Sequence, residues 1–187
     1  MTTVGEVVDF KHFLPRMLEL MLSQAGGIGP ETVCEKLRYG QWRKWADSEQ
    51  EAIHAFLWAC WKDTLARFPA AHGPEVWLCA IAQVQDDIAP FLEFWRSMQT
   101  PGSIRHLASV LGEGWEVFIL SSAGGSPWGE GLVRQFEQLR LWVLSPQTDA
   151  TLEDAYFRYA DEPFADEIAR AVQHLGWIRE ASVGEEE

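Results

Sequence analysis

Glu51 and His54 stand three residues apart, the spacing at which a carboxylate and an imidazole share one helix face. Di-metal carboxylate bundles use a Glu-x-x-His pair twice, together with two further glutamates. Here the second pair is at best Asp9-x-x-His12, on a segment interrupted by Pro15. Glu51 also has a simpler use, as the acid that closes a capping box opened by Ser48. Glu51 and His54 are thus weak metal candidates, and no metal or other cofactor is expected.

Ala123 to Gly131 (AGGSPWGEG) is the one glycine-rich loop. A phosphate-gripping loop of the Walker A type ends in Gly-Lys-Ser/Thr, and this one ends in Gly129-Glu130-Gly131. Glu130 would repel a phosphate. No βαβ unit surrounds the loop, so a dinucleotide fingerprint fails as well. Gly124-x-Ser126 begins like a nucleophile elbow, but Pro127 follows the serine and Trp128 replaces the closing glycine. None of the five histidines has an obvious serine or cysteine partner. No catalytic residue is nominated, and the chain reads as a binding protein before an enzyme.

Two groups of residues could make a binding surface. Lys36, Arg38, Tyr39, Trp42, Arg43, Lys44 and Trp45 form the one basic-aromatic cluster. Such clusters stack bases or grip acidic peptides, unless the indoles pack into the core and only the charges face water. The second group is acidic: Asp149, Glu153, Asp154, Asp161, Glu162, Asp166 and Glu167. These residues suit solvated helix faces and first turns, or a docking face for a basic partner.

The charge layout sharpens the second option. The net charge is -13. Residues 1–70 hold nine acids and eight bases, whereas residues 71–187 hold nineteen acids and seven bases. Such a chain lacks the cations that displace counterions from nucleic acid or hold an anionic membrane. Neither is expected as a partner. Cys34, Cys60 and Cys79 form no CxxC pair and suggest no disulfide framework. The first eleven residues lack the basic-then-apolar order of a secretory signal. These two traits point to the cytoplasm.

The elements that must position these residues are helices. Pro30, Pro74, Pro101, Pro127 and Pro163 each precede a segment with apolar residues every three to four positions. The best-patterned segment, 48–67, carries Ile53, Phe56/Leu57, Cys60/Trp61 and Leu65. Asp87 is placed to cap a helix that starts near Ile88 and keeps Pro90 in its first turn. Trp115 to Leu120 (WEVFIL) is the exception, because its β-branched and aromatic residues also suit a strand. With no convincing strand to pair with, it is read as helix. Apolar residues make up 47% of the chain and include ten Trp and ten Phe, ample for a core. The expected fold is all-α: a single multi-helix domain over 1–181, possible as irregular HEAT-like helical hairpins, with a disordered acidic tail at 182–187.

Phe10–Pro15 (FKHFLP), the Trp-rich helix at 52–61 and Leu152–Phe157 (LEDAYF) give a further pointer. In these stretches the chain resembles a group of uncharacterised all-helical bacterial proteins of similar length. That resemblance implies a helical fold and no particular activity. The expectation for function is a protein-interaction domain that takes a basic partner on its acidic C-terminal half. The interaction candidates are Tyr39, Trp42, Arg43, Lys44, Trp45, Asp154, Asp161, Glu162 and Asp166. The alternative is a small-ligand-binding protein or enzyme with a Trp-lined pocket between helices. The sequence leaves the oligomeric state open.

Overall fold

Proline decides where four of the helices begin. Pro30, Pro74, Pro101 and Pro146 are the first residues of α2 (Pro30–Tyr39), α4 (Pro74–Val84), α6 (Pro101–Val110) and α8 (Pro146–Arg158). A missing N–H costs nothing there, and the fixed φ suits the first turn. In α5 (Ala89–Ser97) Pro90 stands in the first turn, and the Asp87 carboxylate accepts from the Ala89 N–H at 3.0 Å, as expected. In α6 the Thr100 hydroxyl accepts from Ser103 N at 3.3 Å. The other helices are α1 (Val7–Ser23), α3 (Asp47–Ala66), α7 (Val133–Val143) and α9 (Ala165–Val183), with short 3-10 helices at Trp42–Lys44 and Glu130–Leu132.

This computed structural model describes residues 7–23, 27–112 and 128–183. Among them the fold is all helical, with no strand. The Trp115–Leu120 stretch, most of the glycine-rich loop and residues 184–187 lie outside the described residues. No described helix is long and apolar enough to cross a membrane.

Several boundaries differ from the sequence reading. Helix α3 starts at Asp47, one residue earlier, so the N3 acid is Glu49: its carboxylate accepts from Ala46 N at 2.9 Å. Ser48 and Glu51 therefore do not form the capping box. Pro15 sits inside α1 without splitting it. Pro163 lies in the turn before α9 instead of opening it. The last helix runs through Val183, past the point assigned to the tail.

The core is organised around indole rings. Trp58 on α3 stacks on Phe91 of α5 at 4.0 Å, and Trp61, one turn on, meets Phe91 and Trp95 edge-on. Trp95 in turn stacks on Trp142 of α7 at 5.4 Å. Large rings in offset or edge-on contact add to the area they bury. Two of their polar edges are satisfied: Trp61 Nε1 donates to the Phe91 carbonyl at 3.0 Å and Trp95 Nε1 to that of Ser103 at 3.2 Å, whereas the buried Trp142 Nε1 has no hydrogen-bond partner among the described residues. Around this chain α2 packs along α4, α3 touches α4 and α6, and α9 packs against both α6 and α8. The closest pairs, α2 with α4 and α6 with α9, are not neighbours in sequence. The contacts describe a compact bundle and do not establish a regular stack of hairpins.

Polar staples tie the C-terminal helices down. Arg105 makes a two-pronged ion pair with Glu167, at 3.0 and 2.9 Å, beneath the rings of Phe68 and Phe164. Arg179 pairs with Asp149 and donates to the carbonyl of Leu144, at the end of α7, and to that of Ser145, which also accepts from Thr148 N at the start of α8.

Candidate functional site

The basic-aromatic cluster comes apart in the fold. Trp42 and Trp45 are buried, and Trp45 Nε1 donates to the Gly40 carbonyl at 3.0 Å. Arg43 faces outward, pairs with Asp86 and donates to the Val84 carbonyl at 3.1 Å. Tyr39, 81% exposed, and Lys44 lie on the surface. The indoles thus serve the core while the charges stay in water, so no stacking platform forms.

Glu51 and His54 are both exposed. His54 Nδ1 lies 3.0 Å from Gln85 Nε2, and its ring meets Trp42 edge-on at 5.2 Å. Among the described residues no group of three or more His, Cys, Asp or Glu is placed to hold a metal ion. The three thiols are free, and burial is the main force pushing each up: Cys34 and Cys60 to about 12 and Cys79 to about 11. Protonated and sheltered, they are poor nucleophiles at neutral pH.

The acidic residues divide in two. Asp149 and Glu167 are used by Arg179 and Arg105. Asp154, Asp161, Glu162 and Asp166 are exposed, and no ion pair among the described residues uses them. They lie on α8, in the turn after it and in the first turn of α9, near the exposed rings of Tyr156 and Phe157.

What sequence reasoning did not locate is a cavity of about 330 Å³ beneath α1. Its walls come from α1 (Met21), α2 (Leu37) and α3 (Ile53, Leu57), with Trp45 and Trp77 completing the lining. None of the residues lining it carries a buried polar side-chain atom without a partner. The cavity's one cation, Lys11, is neutralised at the rim: its Nζ lies 2.7 Å from Glu49 and 4.4 Å over the Trp45 ring. The Lys11 hydrogen bond, with help from Ala46 N–H, holds the Glu49 carboxyl below its ordinary value. A single carboxylate therefore starts α3 and anchors α1.

A second cavity, about 600 Å³, continues along α3. The two share Phe56 and Trp77 as walls. The second is the more polar, with Asp63, Thr64, Arg67 and His72 in its lining. Arg67 is paired with Asp63. The Nε2 atom of His72 is buried with no hydrogen-bond partner among the described residues. Chemically, the pair of cavities offers a largely apolar chamber, open to solvent along part of its rim, followed by a chamber with hydrogen-bonding groups. Neither assembles a nucleophile with a base.

No family model, no curated protein and no solved structure matches this chain.

Proposed function

We propose that this protein binds a small apolar molecule in the chamber beneath α1. The observation that carries the reading is the chamber itself. It is about twice the ~150 Å³ of an engineered apolar cavity that takes up benzene, and it falls within the size range of ligand pockets. Its wall is built mostly from aromatic and aliphatic side chains, and its two charged groups, Lys11 and Glu49, are paired with each other. The disposition of the indoles supports the same choice. Of the nine tryptophans among the described residues, Trp177 alone is exposed, at 54%. Indoles that served a protein interface would gather in an exposed patch.

Titration calorimetry with decanol tests the proposal. At about 0.6 kcal/mol per heavy atom, inside the usual range, a ligand of about eleven heavy atoms reaches a Kd on the order of 10 µM. Saturable binding at a single site, lost when the chamber is filled by substitution, is the expected result. Absence of saturable heat up to millimolar decanol would refute it.

A second reading rests on a separate observation, the exposed Phe157 (78%) beside the unpaired Asp154, Asp161 and Glu162. An exposed aromatic side chain with Asp154 one turn before it and further acids shortly after it in the chain suits a basic protein partner. Cross-linking in the native host, compared between the wild type and a Phe157→Ser, Glu162→Lys variant, tests it. A partner retained by the variant would dismiss this surface.

A further inference from the structure

We propose that Phe56 is the partition that sets which ligands fit, and that the preferred ligand is an uncharged linear amphiphile. Its apolar body would fill the first chamber, and its polar end would pass Phe56 toward Thr64 and His72. This rests on the reading of the first chamber as a ligand site and extends it.

The geometry follows from α3. Glu49, Ala52, Phe56, Cys60, Asp63 and Arg67 recur every three to four residues, so they share one face of that helix. All six contribute to the lining, the first three to the first chamber and the last four, counting Phe56 twice, to the second. From Glu49 to Arg67 the helix rises about 27 Å. The track is therefore long and narrow, and a linear molecule matches it. Only Phe56 and Trp77 wall both chambers. Trp77 is fully buried, whereas Phe56 is half-buried and packs against the core from its edge.

Charge selects against an ionic ligand. Lys11 and Arg67, the cations along the track, are each paired with a carboxylate, Glu49 and Asp63. The chain itself carries -13. An incoming anion would have to displace a carboxylate tethered beside each cation. An incoming cation would meet two carboxylates that are already satisfied. The polarity of the ligand's far end follows from His72: a buried ring nitrogen without a partner gains from any hydrogen-bonding group that reaches it.

The test is binding of octanol, decanol, dodecanol and tetradecanol by calorimetry to wild type, Phe56→Trp, Phe56→Ala and His72→Phe, each checked for native circular dichroism. At about 30 Å³ per group, the first chamber holds about eleven methylene-sized groups. Affinity in the wild type should rise about fourfold per methylene through tetradecanol. With Phe56→Trp the rise should stop near decanol, and with Phe56→Ala it should continue. His72→Phe should weaken tetradecanol about fivefold, the worth of one hydrogen bond, and leave octanol unchanged. Octanol binding with a length profile unmoved by Phe56→Trp, or equal loss for all four alcohols in His72→Phe, overturns this proposal alone. Failure of octanol to bind the wild type overturns the first chamber as a site, and this inference with it.

Discussion

Filling the chamber beneath α1 should stabilise the protein and abolish its binding at once. Ala52 lines the chamber from α3 and is open to it. Ala52→Leu adds three carbons to a space that already exists. Ala52 is exposed at the chamber's edge, so about 0.8 kcal/mol per buried methylene sets an upper bound of about 2.4 kcal/mol on the gain. Fixing the leucine rotamer takes back about 0.5–1 kcal/mol. The remainder, at most about 1.5 kcal/mol, corresponds to a Tm up to about 3–6 °C higher for a chain of this size. The three carbons also occupy about a quarter of the chamber, so a ligand that filled it loses three methylenes' worth of burial. That is about fiftyfold in affinity. Melting followed by circular dichroism and decanol calorimetry read the two effects on one sample. Ala150→Leu, exposed on α8 and away from both chambers, should change neither. A fall in Tm would mean the space is too small for three carbons and the strain of overpacking wins. A rise in Tm with undiminished binding would place the ligand elsewhere. Either result refutes the reasoning.

Trp61→Phe should cost about 2–3 kcal/mol and lower Tm by about 5–10 °C, because it removes a fused ring from the core and leaves the Phe91 carbonyl without its donor; the same change at the exposed Trp177 should stay within about 0.5 kcal/mol. Because burial raises the thiols of Cys34, Cys60 and Cys79 above their ordinary 9.0, the folded state holds those protons more tightly than the unfolded chain. Their contribution is complete below pH 9 and is lost as pH rises toward 12, so urea midpoints should fall on the alkaline side, and less so in a Cys34→Ala, Cys60→Ala variant. Amides of α1 should exchange with solvent faster than those of α3, and decanol should slow α1 selectively; equal rates in the two helices would show that α1 does not open on its own.

The fold was readable where physics is local. Pro30, Pro74 and Pro101 announced their helices because a proline at N1 needs no tertiary partner. Pro146 starts α8 for the same reason, yet it was passed over because apolar spacing ran on through Val143 and drew attention from the break at Ser145. The capping acid was misplaced by two residues because Ser48 looks like a cap, while the chain in fact enters α3 at Ala46 and recruits Glu49. What Glu49 does for Lys11, 38 residues away, has no sequence signature. The basic-aromatic cluster left two readings open for a related reason: composition alone does not decide whether Trp42 and Trp45 turn inward while Arg43 and Lys44 turn out, as they do. The chambers were invisible because a cavity is a place where side chains fail to meet. The one trace in the sequence is the small, exposed Ala52 one position before the buried Ile53 on α3.

The contrast between α1 and the rest of the bundle ties these points together. The body is fixed by ring-to-ring contacts from Trp58 to Trp142 and by two-pronged arginine staples. Helix α1 has nothing of the kind. It buries only Leu14 and Met21, leaves Val8, Phe13 and Leu22 in water, and is otherwise held by the Lys11 ion pair and a tilted contact between Phe10 and Trp45. Two buried aliphatic side chains are worth about 3–6 kcal/mol; the half-buried Phe10, Met17 and Leu18 and the part-buried Lys11–Glu49 pair add to that. Lifting α1 thus costs a small part of what unfolding the core would. The half-buried Met17 and Leu18 on its underside complete the argument. Both already pack against the core, and Leu18 also lines the chamber, so an apolar ligand there would add contacts to that side chain. Under the proposed reading, ligand and α1 then stabilise each other, and the helix with the fewest core contacts is the one that covers the site.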